Sequence, residues 1–172
     1  MQPQLDRLVI DFSTKKLKLY VSRIRECLGR LTEEQIWARH SENENAIGNL
    51  MLHLAGNVRQ WIVSGAGGQP DTRKRDQEFA ARGNVSSAEL LAHLEATVAE
   101  ANDVLVTLNA ERLAEIVQIQ GNQLPVIEAV SHVVVHFAEH TGQIQFATKL
   151  LTGQDLGFFA YLNKPAHNEK TP

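Results

Sequence analysis

The stretch that decides the fold is residues 125–153, PVIEAVSHVVVHFAEHTGQIQFATKLLTG. Val126, Val130, Val133, Phe137, His140, Ile144, Ala147 and Leu151 recur at alternating steps of four and three. That spacing lines one face of an α-helix and not of a strand, whose side chains alternate every second residue. Pro125 suits a first turn, where no backbone N–H is required, and Gly153 is a stop signal. The spacing therefore predicts a long helix from about Pro125 to Thr152 with one buried seam.

Three more segments show the same period. The first runs from about Leu5 to Gly29, with Leu5, Leu8, Phe12, Leu17, Val21, Ile24 and Leu28 on its apolar face. A second begins near Asn45, capped by Asn43 or Asn45, and ends in the glycine-rich stretch Gly65–Gly68. Its apolar positions are Ile47, Leu50, Leu54, Val58 and Trp61. The third opens at Ser86 or Ser87. Ser86 and Glu89 have the spacing of a capping box, and Leu91, Leu94, Val98, Ala101, Leu105 and Leu108 form a narrow seam. Four such amphipathic helices bury their seams together as an all-α four-helix bundle. The polar link at residues 67–84, GGQPDTRKRDQEFAARGN, is long enough to cross one end of the bundle. Residues 115–126, EIVQIQGNQLPV, read as a short hairpin or loop turning at Gly121-Asn122. Leu156, Phe158, Phe159, Tyr161 and Leu162 are expected to pack on the bundle or on a second subunit, with a loose tail from about Lys164.

Composition sets the outer bounds. The 172 residues predict one domain spanning 1–172, large enough to bury a core without disulfides. Hydrophobic residues are 43% and charged residues 22%, which excludes wholesale disorder. The net charge of −3 comes with no basic stripe, so nucleic acid is not an expected partner. No apolar run is long enough for a membrane span. The start, MQPQLDRLVIDF, lacks the pattern of a secretory signal, and the single Cys27 fits a reducing cytoplasm. Cys27 reads as a small buried apolar residue.

Chemistry concentrates in the fourth helix, where His132, His136 and His140 follow one another at intervals of four. Such residues are neighbours on one side of a helix, with Cβ atoms roughly 6 Å apart, so two imidazoles can converge on one ion. His140 occupies a seam position. A further ligand is available in His53, which flanks the buried side of the second helix within NLMLHLAGN. Three imidazoles and an open position would make a catalytic kind of site. The competing reading is a set of hydrogen-bonded core histidines, and spacing leaves both open. Asn49, Asn57 and Gln143 lie within one turn of these histidines and can orient a ring or remain surface amides. Glu139 points away from His140 and is expected in solvent. Gly142 either admits a close neighbour or is merely tolerated. There is no His-Glu-x-x-His, no pair of Glu-x-x-His motifs and no phosphate loop.

His53 in NLMLHLAGN, together with His136 to Gln143 in HFAEHTGQI, resembles the DinB/YfiT superfamily of metalloenzymes. The likeness extends over nearly the whole chain, including DLGFFAYLN near its end. It implies an up-down-down-up four-helix bundle, frequently a homodimer, with one divalent metal on His53, His136 and His140. It gives His132 no ligand role, which leaves it a supporting or core residue. Zinc, nickel or iron are the metals such a donor set implies. Some relatives are S-transferases or isomerases that use low-molecular-weight thiols. The function implied is thus a metal-dependent, thiol-using transferase acting on a small molecule in detoxification or stress. A metal-dependent hydrolase and a non-catalytic metal- or ligand-binding module are the alternatives.

Overall fold

The computed structural model describes residues 4–163. Its long elements are α1 (Leu5–Leu28), α3 (Ile47–Val58), α5 (Ser87–Thr107) and α7 (Val126–Thr152). Between them lie the short helices α2 (Glu33–Trp37), α4 (Arg75–Ala80) and α6 (Ala110–Ala114) and a hairpin, β1 (Ile116–Ile119) with β2 (Asn122–Pro125). The tail expected from Lys164 falls outside the described residues.

The long helices form a ring in which α1 touches α5 and α7, and α3 touches the same two. Arg7 near the start of α1 donates to the carbonyls of Val106 and Leu108 at the end of α5, while Arg25 pairs with Glu95 near its start. These two helices are antiparallel. Tyr20 stacks on Phe137 at 6.0 Å, and further toward both N-termini Leu8 and Ser131 line one groove, so α1 and α7 run together. Likewise α3 and α5 run together, opposite to the first pair, since Leu52 and His93 line one cleft and Arg59 reaches Glu100 beyond them. The centre is filled by Leu17, Ile24, Leu54, Leu94, Leu105, Phe137 and Ile144, all fully enclosed.

Capping chemistry explains several boundaries. The Ser86 hydroxyl accepts from the Glu89 N–H at 3.3 Å, and the Glu89 carboxylate accepts from the Ser86 N–H at 2.8 Å, forming the reciprocal box expected at the start of α5. Thr32 and Gln35 do the same for α2. Gly153 ends α7 at φ 66°. Neither Asn43 nor Asn45 caps α3; instead Asn49 Oδ1 accepts from the Ala46 N–H at 3.2 Å. The hairpin turns at Gln120-Gly121, one residue earlier than expected, with φ of 51° and 81°, and Ile119 pairs with Asn122. Two positive φ angles at the central positions match the twist of a tight hairpin.

The structure departs from the sequence pattern in three places. Leu5, Leu8 and Phe12 face solvent, because the buried line of α1 runs from Asp6 through Ile10 and Ser13 to Leu17. The second long helix changes geometry after Val58, and Arg59–Ala66 is a π-helical turn that carries Trp61 inward. At the chain's end Leu156 is buried and Phe158 packs against the core, but Phe159, Tyr161 and Leu162 are exposed. Arg23 lies over the rings of both Phe158 and Phe159. No described helix is long and apolar enough to cross a membrane.

Candidate metal centre

The antiparallel contact of α3 with α7 brings His53, at the middle of α3, against two successive turns of α7. His53 Nε2 lies 3.1 Å from His136 Nε2, and His140 Nε2 lies 3.2 Å from the same atom. Ligand atoms of the three rings all fall within 4.8 Å of one another. Two nitrogens bound to one tetrahedral ion at about 2.0–2.1 Å would stand roughly 3.3 Å apart. The two spacings at His136 therefore fit a shared cation of that size.

Two of the three other ring nitrogens are held from outside. His140 Nδ1 is 2.8 Å from Gln143 Oε1. His53 Nδ1 is 3.0 Å from Glu78 Oε2. A ring that donates from Nδ1 keeps its lone pair on Nε2, the atom pointing at the common centre. Arg73 Nη2 is also 3.0 Å from His53 Nδ1, but it donates to Glu78 Oε2 at 2.8 Å. His136 Nδ1 is buried with no partner among the described residues.

The electrostatics favour the neutral, metal-ligating form of His136 and His140. Burial pushes the His136 pKa down, and the neighbouring His140, His53, His132 and Arg73 push it further, to about 3. Burial also lowers His140, against a smaller opposing effect of the Gln143 bond. Burial alone would raise Glu78, but hydrogen bonds and charge from Arg73 and His53 outweigh it and hold the carboxyl below its ordinary value. Three imidazoles with an ionised carboxylate outside them form a donor set that suits a divalent ion of borderline softness.

Sequence and structure comparisons place the chain. A family profile described as "Protein of unknown function (DUF1572)" matches residues 5–162. The chain belongs to the DUF1572 family. No curated protein sequence matches this DUF1572 chain. Among solved structures it is similar to a conserved protein from Enterococcus faecalis, with TM-score 0.71 and 18% identity over 89% of this chain and 100% of that one. It is also similar to YjoA, a DinB-like protein from Bacillus subtilis, with TM-score 0.65 and 11% identity over 86% and 96% of the two chains. A variant of a mycothiol-dependent maleylpyruvate isomerase matches with TM-score 0.62 and 14% identity, over 78% of this chain and 60% of that one. The DUF1572 chain thus has a DinB-like fold.

Around the three histidines, the DUF1572 chain places the other polar residues singled out in sequence as follows. Gln143 supports His140. Asn57 lies 3.5 Å from His132 Nε2, and the His132 ring packs tilted against Trp61 at 4.1 Å between centroids while stacking on His136 at 5.5 Å. Asn49 does not reach an imidazole; its amide donates to the carbonyls of Glu78 and Ala81 and so fastens α4 to α3. Glu139 is exposed. A Cβ at Gly142 would meet nothing within 4 Å, so no close neighbour requires that glycine. Cys27 is buried, and burial raises its thiol pKa, in keeping with an inert core residue.

Sequence reasoning missed Arg73 and Glu78. Both lie in the segment taken as a polar link, and hydrophobic periodicity does not register a buried ion pair. The available signal was on α3, where Asn49 and Gly56 interrupt an otherwise apolar face. Two clefts border the supports of the cluster: one of about 700 Å³ against Arg73 and Glu78, and one of about 660 Å³ between the 38–50 region and α7, reaching Gln143.

Proposed function

We propose that this protein is a metal-dependent enzyme that holds one divalent ion on His53, His136 and His140 and transfers a low-molecular-weight thiol to a small electrophile. The observation that carries the metal is the convergence of three Nε2 atoms from two antiparallel helices. When bound, the ion supplies Lewis acidity, which lowers the pKa of a thiol or water that it ligates. The chain's own residues supply the rest. Glu78 and Gln143 set the orientation of two of the rings, and burial keeps His136 and His140 uncharged. The cleft beside Gln143 has apolar walls at Ile47, Leu50, Phe146 and Leu150, suited to the body of an apolar electrophile. The thiol is supported by the DinB-like fold shared with a mycothiol-dependent isomerase and by the motif likeness of His53, His136 and His140.

The test begins with protein purified without a histidine tag or nickel column. Elemental analysis should find about one transition metal per chain, and His140→Ala should lose it. Electrophile consumption is then followed with and without added thiol. Turnover that requires both thiol and metal supports the reading. Turnover without thiol replaces it with metal-dependent hydrolysis, and absence of turnover across thiols with metal in place leaves a binding module.

A further inference from the structure

We infer that Glu78 is the positioning residue for His53, and that α4 is thereby part of the metal centre and docks on α3 in linkage with the ion. The inference rests on the three-histidine reading above and extends it to a segment of the chain that carries no ligand.

The sequence of α4, RDQEFA, offers one large apolar side chain, Phe79, whose ring stands 4.8 Å from that of His53 between centroids. Its other attachments are polar. Glu78 is 8% exposed and has three partners: Arg73 Nε at 2.7 Å, Arg73 Nη2 at 2.8 Å and His53 Nδ1 at 3.0 Å. The Arg73 side chain is 3% exposed, and its remaining arm donates to Gln60 Oε1 at 2.9 Å. Burying such a pair is costly unless every charge is met, so its presence is weak evidence for a purely stabilising role. The fork from Arg73 already meets the carboxylate. The bond to His53 is therefore additional, and it fixes which nitrogen of the ring stays free. Because the Arg73–Glu78 pair is neutral overall, its effect on a bound cation is orientation and ring basicity, not charge compensation.

Helix α3 is shaped to receive this carboxylate. A Cβ at Gly56 would lie 2.0 Å from Glu78 Oε1 and 2.9 Å from Arg73 Nε. A mid-helix glycine costs helix stability relative to alanine, and here the missing Cβ is what lets the ion pair reach His53 one turn away. Asn49, one turn to the other side of His53, holds the carbonyls of Glu78 and Ala81 at 2.8 and 3.0 Å. Fixing His53 fixes α4 and fixing α4 fixes His53. By linkage, anything that selects one ring orientation selects the docked helix.

The experiment uses the full chain with zinc alone as the probe. Titration calorimetry gives the affinity of wild type, Glu78→Gln and Gly56→Ala, with helicity checked by circular dichroism. Gly56→Ala leaves the carboxylate and its charge in place and only displaces it, in a helix that alanine favours. Amide hydrogen exchange over residues 75–80 is followed with and without zinc. The expected result is one zinc per wild-type chain, slower exchange across α4 when it binds, and affinity roughly 10–100-fold weaker in both variants. Undiminished affinity in either folded variant, or exchange over residues 75–80 that ignores zinc in wild type, overturns the inference while leaving the three-histidine site standing. A wild-type chain that binds no zinc removes the site itself and this inference with it.

Discussion

His136 sits where both helices and both other rings crowd it, and its titration follows from that position. Its pKa is near 3 in the fold, against 6.5 for the free group. The folded metal-free protein thus takes up fewer protons than the unfolded chain between those values. The sign is fixed by linkage: the stability due to neutral His136 is complete above about pH 6.5 and is lost as pH falls toward about 3. His140 and His132 are shifted the same way, chiefly by burial, and add to the slope. Denaturant midpoints of the metal-free protein measured at about pH 7 and about pH 5 should fall more steeply for wild type than for His136→Gln. Equal falls would mean that the ring is not buried as described. At this scale the sequence displayed the three histidines that converge, because a histidine in or beside an apolar seam is conspicuous. It did not display Glu78, whose burial depends on an arginine five residues away and a histidine twenty-five residues away.

The helices differ in how well local chemistry reports them. The Ser86–Glu89 box, the seam of α5 and the glycine stop of α7 were all legible, because each is a local interaction encoded within a few residues. The π-helical turn and α4 were not, since both are set by what packs on them: Ile119 against Gly65, and Asn49 and Gly56 against α4. Glycines make the distinction testable. Gly142 is exposed in mid-helix with open space where a Cβ would stand, so Gly142→Ala should stabilise the protein by about 0.5–1 kcal/mol in equilibrium unfolding. Gly48 is the opposite case. A Cβ there would lie 2.7 Å from the Trp37 ring, which is fixed by its N–H bond to the Val85 carbonyl at 3.0 Å. Gly48→Ala should therefore destabilise by about 1–3 kcal/mol, the usual cost of overpacking, despite alanine's better helix propensity. Trp37 fluorescence would report the displaced ring. Stabilisation by Gly48→Ala would show that α2 does not pack there.

Across the whole molecule, the histidine cluster is a long-range tie. His53 and His136 are separated by 83 positions, and a ligand that holds them together binds the folded bundle and not the unfolded chain. Mass action then sets the size of the effect. At a free metal concentration one hundred times the dissociation constant, the fold gains about 2.7 kcal/mol. For a protein of this length each kcal/mol moves the melting temperature by about 2–4 °C, so loading should raise it by roughly 5–11 °C. The comparison that isolates the site is zinc against EDTA in wild type and in His53→Ala. The variant should melt at the same temperature in both, because two imidazoles on one helix no longer join it to another. A rise of equal size in His53→Ala would place the stabilising ion elsewhere on the chain. No rise in wild type, with metal shown to be bound, would mean that the ion is held without coupling α3 to α7.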